Sequence, residues 1–333
     1  MGSGRIWRLI TLGAFLVVLG LGMQASAQQS APVNPTASAA KEEQLLQQLK
    51  SVEGRITIPD ERANVLIQPA GREWRSFDQN TLLWVGGIAI LGMIAVLAIF
   101  YLTRGTVRIE AGTSGVRIPR FNAIERFVHW LTASCFIVLA LSGLNITFGK
   151  WLILPWLGPE AFTTLSLWAK YAHNYLAFPF MLGLIFTFIV WIKDNIPNKT
   201  DAEWLKRGGG IVGNDHPPAK RFNAGQKMIY WVVIIGGLLL SVTGVILLFP
   251  FSGTTIADMQ LAQIVHAVIA VLLIAVMIAH IYIGTLGMEG AYDAMGTGEV
   301  DLNWAKQHHS LWVEEEKGRS QAAGDGKVAV PAE

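Results

Sequence analysis

The chain has 333 residues, 52% of them apolar and 15% charged, with a net charge of +2 and a mean hydropathy of +0.42. That balance describes an integral membrane protein in contact with a lipid bilayer, and no nucleic-acid partner is expected. The one cysteine, Cys135, sits in an apolar stretch, so the chain can hold neither an intrachain disulfide nor an iron–sulfur cluster; it reads as a small buried apolar residue.

Residues 1–27 read as a secretory signal. Arg5 and Arg8 give a basic start, Leu9 to Leu21 a 13-residue apolar core, and Ala25-Ser26-Ala27 a small-x-small cleavage pattern. Such a core is short for a full crossing, so the mature chain is expected to begin at Gln28, outside the cytoplasm. The segment 28–80 is polar and mixed: QQSAPVNPTASAA lacks bulky apolar residues, and KEEQLLQQLKSVEGRI fits a short amphipathic helix around Leu45, Leu46 and Leu49. Contact with a partner outside the membrane is the expected use.

Five apolar segments follow, about Thr81–Leu102, Phe127–Phe148, Trp168–Ile192, Met228–Phe249 and Gln263–Leu286. Each is close to the roughly 20 residues that cross a bilayer core. The connection after the first carries Arg104, Arg108, Arg117, Arg120 and Arg126. The connection after the third carries Lys193, Lys199, Lys206, Arg207, Lys220, Arg221 and Lys227, and the tail carries Lys306, Lys317, Arg319 and Lys327. The two remaining connections are almost free of Lys and Arg. Basic connections stay in the cytoplasm, which puts the mature N-terminus in the periplasm and the C-terminus in the cytoplasm.

The fifth span, QIVHAVIAVLLIAVMIAHIYIG, has 22 residues and no Asp, Glu, Lys or Arg, but two histidines, His266 and His280, 14 positions apart. At about 100° and 1.5 Å per residue they share one helix face and lie roughly 21 Å apart along the axis. An ionisable group at membrane depth is costly and by default a functional candidate, although bonding to a neighbouring helix explains a single histidine equally well. Span direction then sets depth. His129 opens the second span near the cytoplasmic face, and His173 comes early in the third, near the outer face. The four sort into equal-depth pairs, His173 with His266 and His129 with His280. Two axial imidazoles per iron suit haem b, with electron transfer as the chemistry left once no coordination position is open. Zinc or copper, or a proton relay, are the competing uses. Isolated pairs do not complete a zinc shell, and a relay gives no reason for equal depths. His216, His308 and His309 fall in the connection and tail and read as solvated or as subunit contacts.

The fourth span follows RFNAGQKMIYW. Asn223 and Gln226 place amides at its cytoplasmic rim, where a helix N-cap is the plain reading of Asn223. Gly236, Gly237 and Gly244 allow close approach of a helix or a flat ring.

FNAIERFVHW leading into ALSG, then DNIPNKTDAEWL, RFNAGQKMIYW with VTGV after it, the two-histidine helix and the tail WAKQHHSLW occur in that order. Together they resemble the gamma, cytochrome b, subunit of membrane-bound formate dehydrogenase, similar also to the cytochrome b subunits of nickel–iron hydrogenases and thiosulfate reductases. The resemblance covers about residues 120–313. It implies an all-α, four-helix dihaem bundle at 123–290, here with an additional transmembrane helix at 81–103, a cytoplasmic linker at 104–122 and a cytoplasmic tail at 291–333. It further implies two haem b, held by His173 and His266 outside and by His129 and His280 inside. An iron–sulfur beta subunit, fed by a molybdenum or tungsten alpha subunit, would supply electrons for anaerobic respiration in the bacterial inner membrane. Quinone would be reduced near Asn223, Gly225 and Gln226, which on the resemblance take a role beyond capping. Another quinone-linked oxidoreductase on the same scaffold is the alternative, and a haem-free anchor or transporter a more distant one. The exported segment and the additional span at 81–103 inherit no role.

Overall fold

A computed structural model of the chain describes residues 71–210, 215–250 and 252–322. The signal sequence, most of the exported segment and the end of the tail lie outside them. Among the described residues, five helices are long and apolar enough to cross a membrane: α1 (Gly71–Arg104), α2 (Ala123–Leu152), α3 (Leu154–Trp191), α5 (Ala224–Leu248) and α6 (Ile256–Gly287). The short α4 (Lys199–Lys206) lies between α3 and α5. The chain is a multi-pass membrane protein. Large apolar side chains such as Trp84, Ile88 and Leu141 stay exposed along the spans, as lipid contact allows and water does not.

Three of the spans, α2, α5 and α6, begin where a side chain satisfies free N–H groups. Asn122, Asn223 and Thr255 accept from the third helical residue, and Glu125, Gln226 and Asp258 reach back to the cap N–H. In α3 the helix starts well before the apolar segment at Trp168. Gly158 at φ +74° breaks the first turn, and Pro159 restarts it. Pro159 at a first helical position costs no hydrogen bond, so PEAFTTLSL is helical although its polar residues hide it in a hydropathy reading. Small residues set the crossings. A Cβ on Gly183 of α3 would come within 2.5 Å of Thr132 Oγ1 of α2, so these helices pack as closely as backbones allow.

The sequence of α2 recurs in α5. Arg120-Phe121-Asn122-Ala123 recurs 101 residues later as Arg221-Phe222-Asn223-Ala224. Trp130 then matches Trp231, Ser142-Gly143 matches Thr243-Gly244, and His129 matches Tyr230, without a gap. The two copies meet reciprocally. Arg120 Nη2 donates to the Arg221 carbonyl at 2.6 Å, and Arg221 Nη2 donates to the Arg120 carbonyl at 3.0 Å. Phe121 and Phe222 lie against each other with ring centres 5.8 Å apart. The starts of α2 and α5 thus form a matched pair at one end of the bundle. Spans α2 and α3 pack along each other, as do α5 and α6, and α1 packs on the outside of α6. By contrast, α6 makes scarcely any backbone contact with α2 or α3, which face it across the bundle. A slot separates them.

The Arg- and Lys-rich connections all lie at one end of the bundle, and there the linker after α1 folds together with the tail. Strands β1 (Arg117–Pro119) and β2 (Glu299–Asp301) pair antiparallel, Arg117 with Asp301 and Pro119 with Glu299. Beyond the short α7 (Asp293–Gly296), helices α8 (Leu302–His308) and α9 (Ser310–Ala322) close over them. Ile118, Val300, Trp304 and Trp312 form a core continuous with Val128, Trp191 and Tyr230 of the spans.

The reading of the tail histidines as solvated is corrected here. His309 is fully buried. Its Nδ1 lies 2.7 Å from the Lys220 carbonyl and its Nε2 lies 3.0 Å from Arg120 Nη2, so it is the neutral Nδ1–H tautomer that donates to one and accepts from the other. The recurrence explains this. In α2, Glu125 receives Arg221 Nη2 at 2.7 Å and Trp191 Nε1 at 3.0 Å. The matching position holds neutral Gln226, so Arg120 lacks the carboxylate that Arg221 has. His309 and the rings of Phe121, Trp304 and Trp312, 4.9 to 5.3 Å from the guanidinium carbon, surround it instead. Burial first, and then Arg120, holds the His309 imidazole well below its ordinary pKa of 6.5. Burial, then His216 and Arg120, pushes the half-buried His308 down to about 4. His216 faces Glu110 at 3.1 Å.

Candidate functional site

The four membrane histidines meet in two pairs across the slot. His173 of α3 faces His266 of α6 with ring centres 6.2 Å apart, and His129 of α2 faces His280 of α6 at 6.3 Å. The planes are inclined by 62° and 56°. One helix, α6, thus supplies a ring to both pairs, four turns apart.

The ring orientation in the first pair is fixed by hydroxyls. Ser142 Oγ lies 2.7 Å from the Val138 carbonyl and 2.8 Å from His173 Nδ1. Thr243 Oγ1 lies 2.7 Å from the Leu239 carbonyl and 2.9 Å from His266 Nδ1. A hydroxyl has one proton to give. With that proton spent on the helix carbonyl four residues back, the oxygen accepts from Nδ1–H. Both rings then carry a proton at Nδ1, and in the neutral form they present an unprotonated Nε2 as the donor atom. The glycine after each hydroxyl clears space at the ring. A Cβ on Gly143 would lie 3.6 Å from His173 Cε1, and one on Gly244 would lie 3.4 Å from His266 Cε1. The second pair lacks this support, since buried His129 Nδ1 finds no partner among the described residues.

The pairs fit a metal held in a planar macrocycle. Among the described residues, no group of three or more His, Cys, Asp or Glu is placed to hold a bare ion, so each pair offers two ligands and must leave the others to the bound group. A nitrogen about 2.0–2.1 Å from a metal puts the ring centre about 3.1 Å away, and two opposed rings about 6.3 Å apart. That spacing is the one found for both pairs. Ser142 and Thr243 escape a residue-by-residue reading, because a serine or threonine in a span is ordinary. Their signal is the recurrence of hydroxyl-then-glycine 101 residues apart.

Asn223 and Gln226 stand at the start of α5, half-buried, and form the capping box. Asn223 Oδ1 accepts from Gln226 N at 2.9 Å, and Gln226 Oε1 accepts from Asn223 N at 3.1 Å. Both oxygens are engaged, which leaves the two amide NH2 groups as donors. Gly225 lies under Trp204 of α4, whose Cη2 would meet a Cβ there at 3.1 Å. A groove of about 300 Å3 runs along the α5–α6 seam, lined by Trp231, Ile235, Gly236, Ile269, Leu273 and Val276 among others.

Residues 120–298 match the family described as prokaryotic cytochrome b561. The chain is 35% identical over 203 residues to the formate dehydrogenase cytochrome b556(fdo) subunit of Escherichia coli K12, covering 60% of this chain and 92% of that one. It is 32% identical over 204 residues to the nitrate-inducible formate dehydrogenase cytochrome b556(Fdn) subunit of the same strain, covering 60% and 91%. With the formate dehydrogenase cytochrome b556 subunit of Haemophilus influenzae it shares 28% over 212 residues, covering 61% and 85%.

Proposed function

The chain belongs to the prokaryotic cytochrome b561 family, and from that premise we propose that it is the cytochrome b subunit of a respiratory formate dehydrogenase, passing electrons from an iron–sulfur subunit outside the membrane to quinone near the cytoplasm. The relatives named as formate dehydrogenase subunits support the assignment. The observation that carries the mechanism is the pair of facing imidazole pairs on one helix. His173 with His266 hold an outer haem b, and His129 with His280 an inner one. Haem held by these imidazoles would supply a one-electron couple, and with a histidine from each of two helices committed to it the site would serve electron transfer. Ser142 and Thr243 hold the outer rings in the ligating tautomer.

The basic end of the bundle faces the cytoplasm of a bacterium whose inner membrane the protein spans. Residues 123–290 form the cytochrome unit, with 81–103 an added span, 104–122 a cytoplasmic linker, 291–333 a cytoplasmic tail, and 28–80 a periplasmic segment after a signal at 1–27. Quinone is reduced beside Asn223, Gly225 and Gln226, whose amide donors suit a quinone carbonyl, and the apolar α5–α6 groove suits its tail. Partners in the complex are the iron–sulfur subunit and a molybdenum or tungsten catalytic subunit.

The test is donor specificity. In the complex purified from native membranes, formate is expected to reduce the b haem bands, and quinone to reoxidise them. Reduction by hydrogen and not by formate would move the chain to a hydrogenase.

A further inference from the structure

The spans bury one lysine at the basic end whose role the capping boxes and the recurrence leave open. Lys227 is 4% exposed. It lies one residue after Gln226 and one helical turn after Asn223, with its own N–H bonded to the Asn223 carbonyl at 3.0 Å. Its Nζ donates to Asp201 Oδ2 at 2.9 Å and to the Ile196 carbonyl at 3.1 Å. An ammonium has three N–H donors, and the third meets no partner among the described residues.

The matching residue in α2 is Arg126, which donates to the Gly296 carbonyl at 2.9 Å and so ties the helix start to the cap. A tie of that kind is the plain structural account of Lys227. Three features exceed it. The side chain ends in a dissociable proton, where α2 has a guanidinium that does not release one. The Asp201 carboxylate beside it is shielded, with its side chain 14% exposed. The same short helix, α4, brings both Asp201 onto Lys227 and Trp204 onto Gly225, so one element covers the lysine and one of the residues assigned to quinone.

We propose that Lys227 is the proton donor for quinone reduction at the start of α5, held in place by Asp201. The inference rests on the quinone reading above. A quinone that becomes quinol takes up two electrons, delivered singly by reduced haem iron, and two protons. The Lys227 N–H bond breaks and an O–H bond forms on the quinone oxygen nearer α5. The neutral amine takes a proton back from cytoplasmic water. The second proton comes directly from water at the rim.

The test uses the intact complex with two probes, decylubiquinone and menadione. Haem is first reduced by the complex's own donor, and its reoxidation on mixing with each quinone is followed by stopped flow. Haem content, spectra and quinone binding to the oxidised protein, read from tryptophan quenching, are measured alongside. Lys227→Arg keeps the ion pair but withholds the proton. It is expected to retain both haems and to bind quinone within a few-fold of wild type, yet to slow reoxidation by at least about tenfold, the low end for loss of a positioned acid. The double variant Lys227→Met with Asp201→Asn removes both charges together, leaves no unpaired buried ion, and is expected to show the same slowing. Reoxidation within twofold of wild type in both variants would overturn the proposal while leaving the quinone reading intact. So would loss of haem from both, since the pair would then be holding the fold. If wild-type haem is not reoxidised by either quinone, the quinone reading itself falls, and this inference with it.

Discussion

Ser142 and Thr243 carry no charge, yet they decide which nitrogen of two histidines is free to bind metal. Their hydroxyl protons go to the Val138 and Leu239 carbonyls, so the oxygens can only accept from His173 and His266. Replacing Ser142 by Ala or Thr243 by Val leaves each ring without its anchor. Support of this kind is worth roughly 10–100-fold in metal affinity. Either variant is expected to lose outer haem on extended washing or mild haem competition, with inner haem retained, as read from haem-to-protein ratio and separate redox steps. His129 has no matching hydroxyl, so the inner site is expected to depend more on packing than on a bond to its ring. The four histidines and their depth pairing are legible in the sequence because charge placement gives span direction and a helix converts 14 positions into a distance. The hydroxyls are not legible singly, since their meaning lies in a comparison between two stretches of the chain.

At the level of elements, the helices announce themselves through caps and apolar length, and the start of α3 does not. Gly158 and Pro159 let a polar stretch stay helical, which hydropathy cannot detect. The tail is the larger surprise. WAKQHHSLW looks like a surface segment, but Trp304, His309 and Trp312 are buried against Arg120. What hides this is a missing carboxylate in another helix: Gln226 stands where α2 has Glu125. The pH consequence has a definite sign. Both His308 and His309 have folded pKa values depressed below the ordinary 6.5, His308 to about 4. The docking they contribute is therefore complete above about pH 6.5 and is lost as pH falls toward 4, because the unfolded or undocked segment binds more protons. Hydrogen exchange across 302–322 is expected to be slow at pH 7.5 and to accelerate at pH 5 by more than the change in intrinsic exchange accounts for. Protection that persists unchanged at pH 5 would mean that the two imidazoles do not hold the tail.

For the molecule as a whole, the recurrence sets the logic. Two matched capped helices, α2 and α5, meet at one end through reciprocal arginines, and they diverge where function needs difference: His129 against Tyr230, Glu125 against Gln226, Arg126 against Lys227. The facing helices stand apart where the histidines oppose each other, and α6 joins both levels of the membrane through one rigid rod. The claim on which this account stands is that each histidine pair holds one haem iron. It is tested most directly by haem quantitation and redox titration of purified wild type, His280→Ala and His173→Ala. The account predicts two haem b per chain in the wild type, with the inner one lost in His280→Ala and the outer one lost in His173→Ala, each variant retaining a single redox step. Full loading with both steps in either variant, or a wild-type protein free of haem from haem-replete cells, would contradict it.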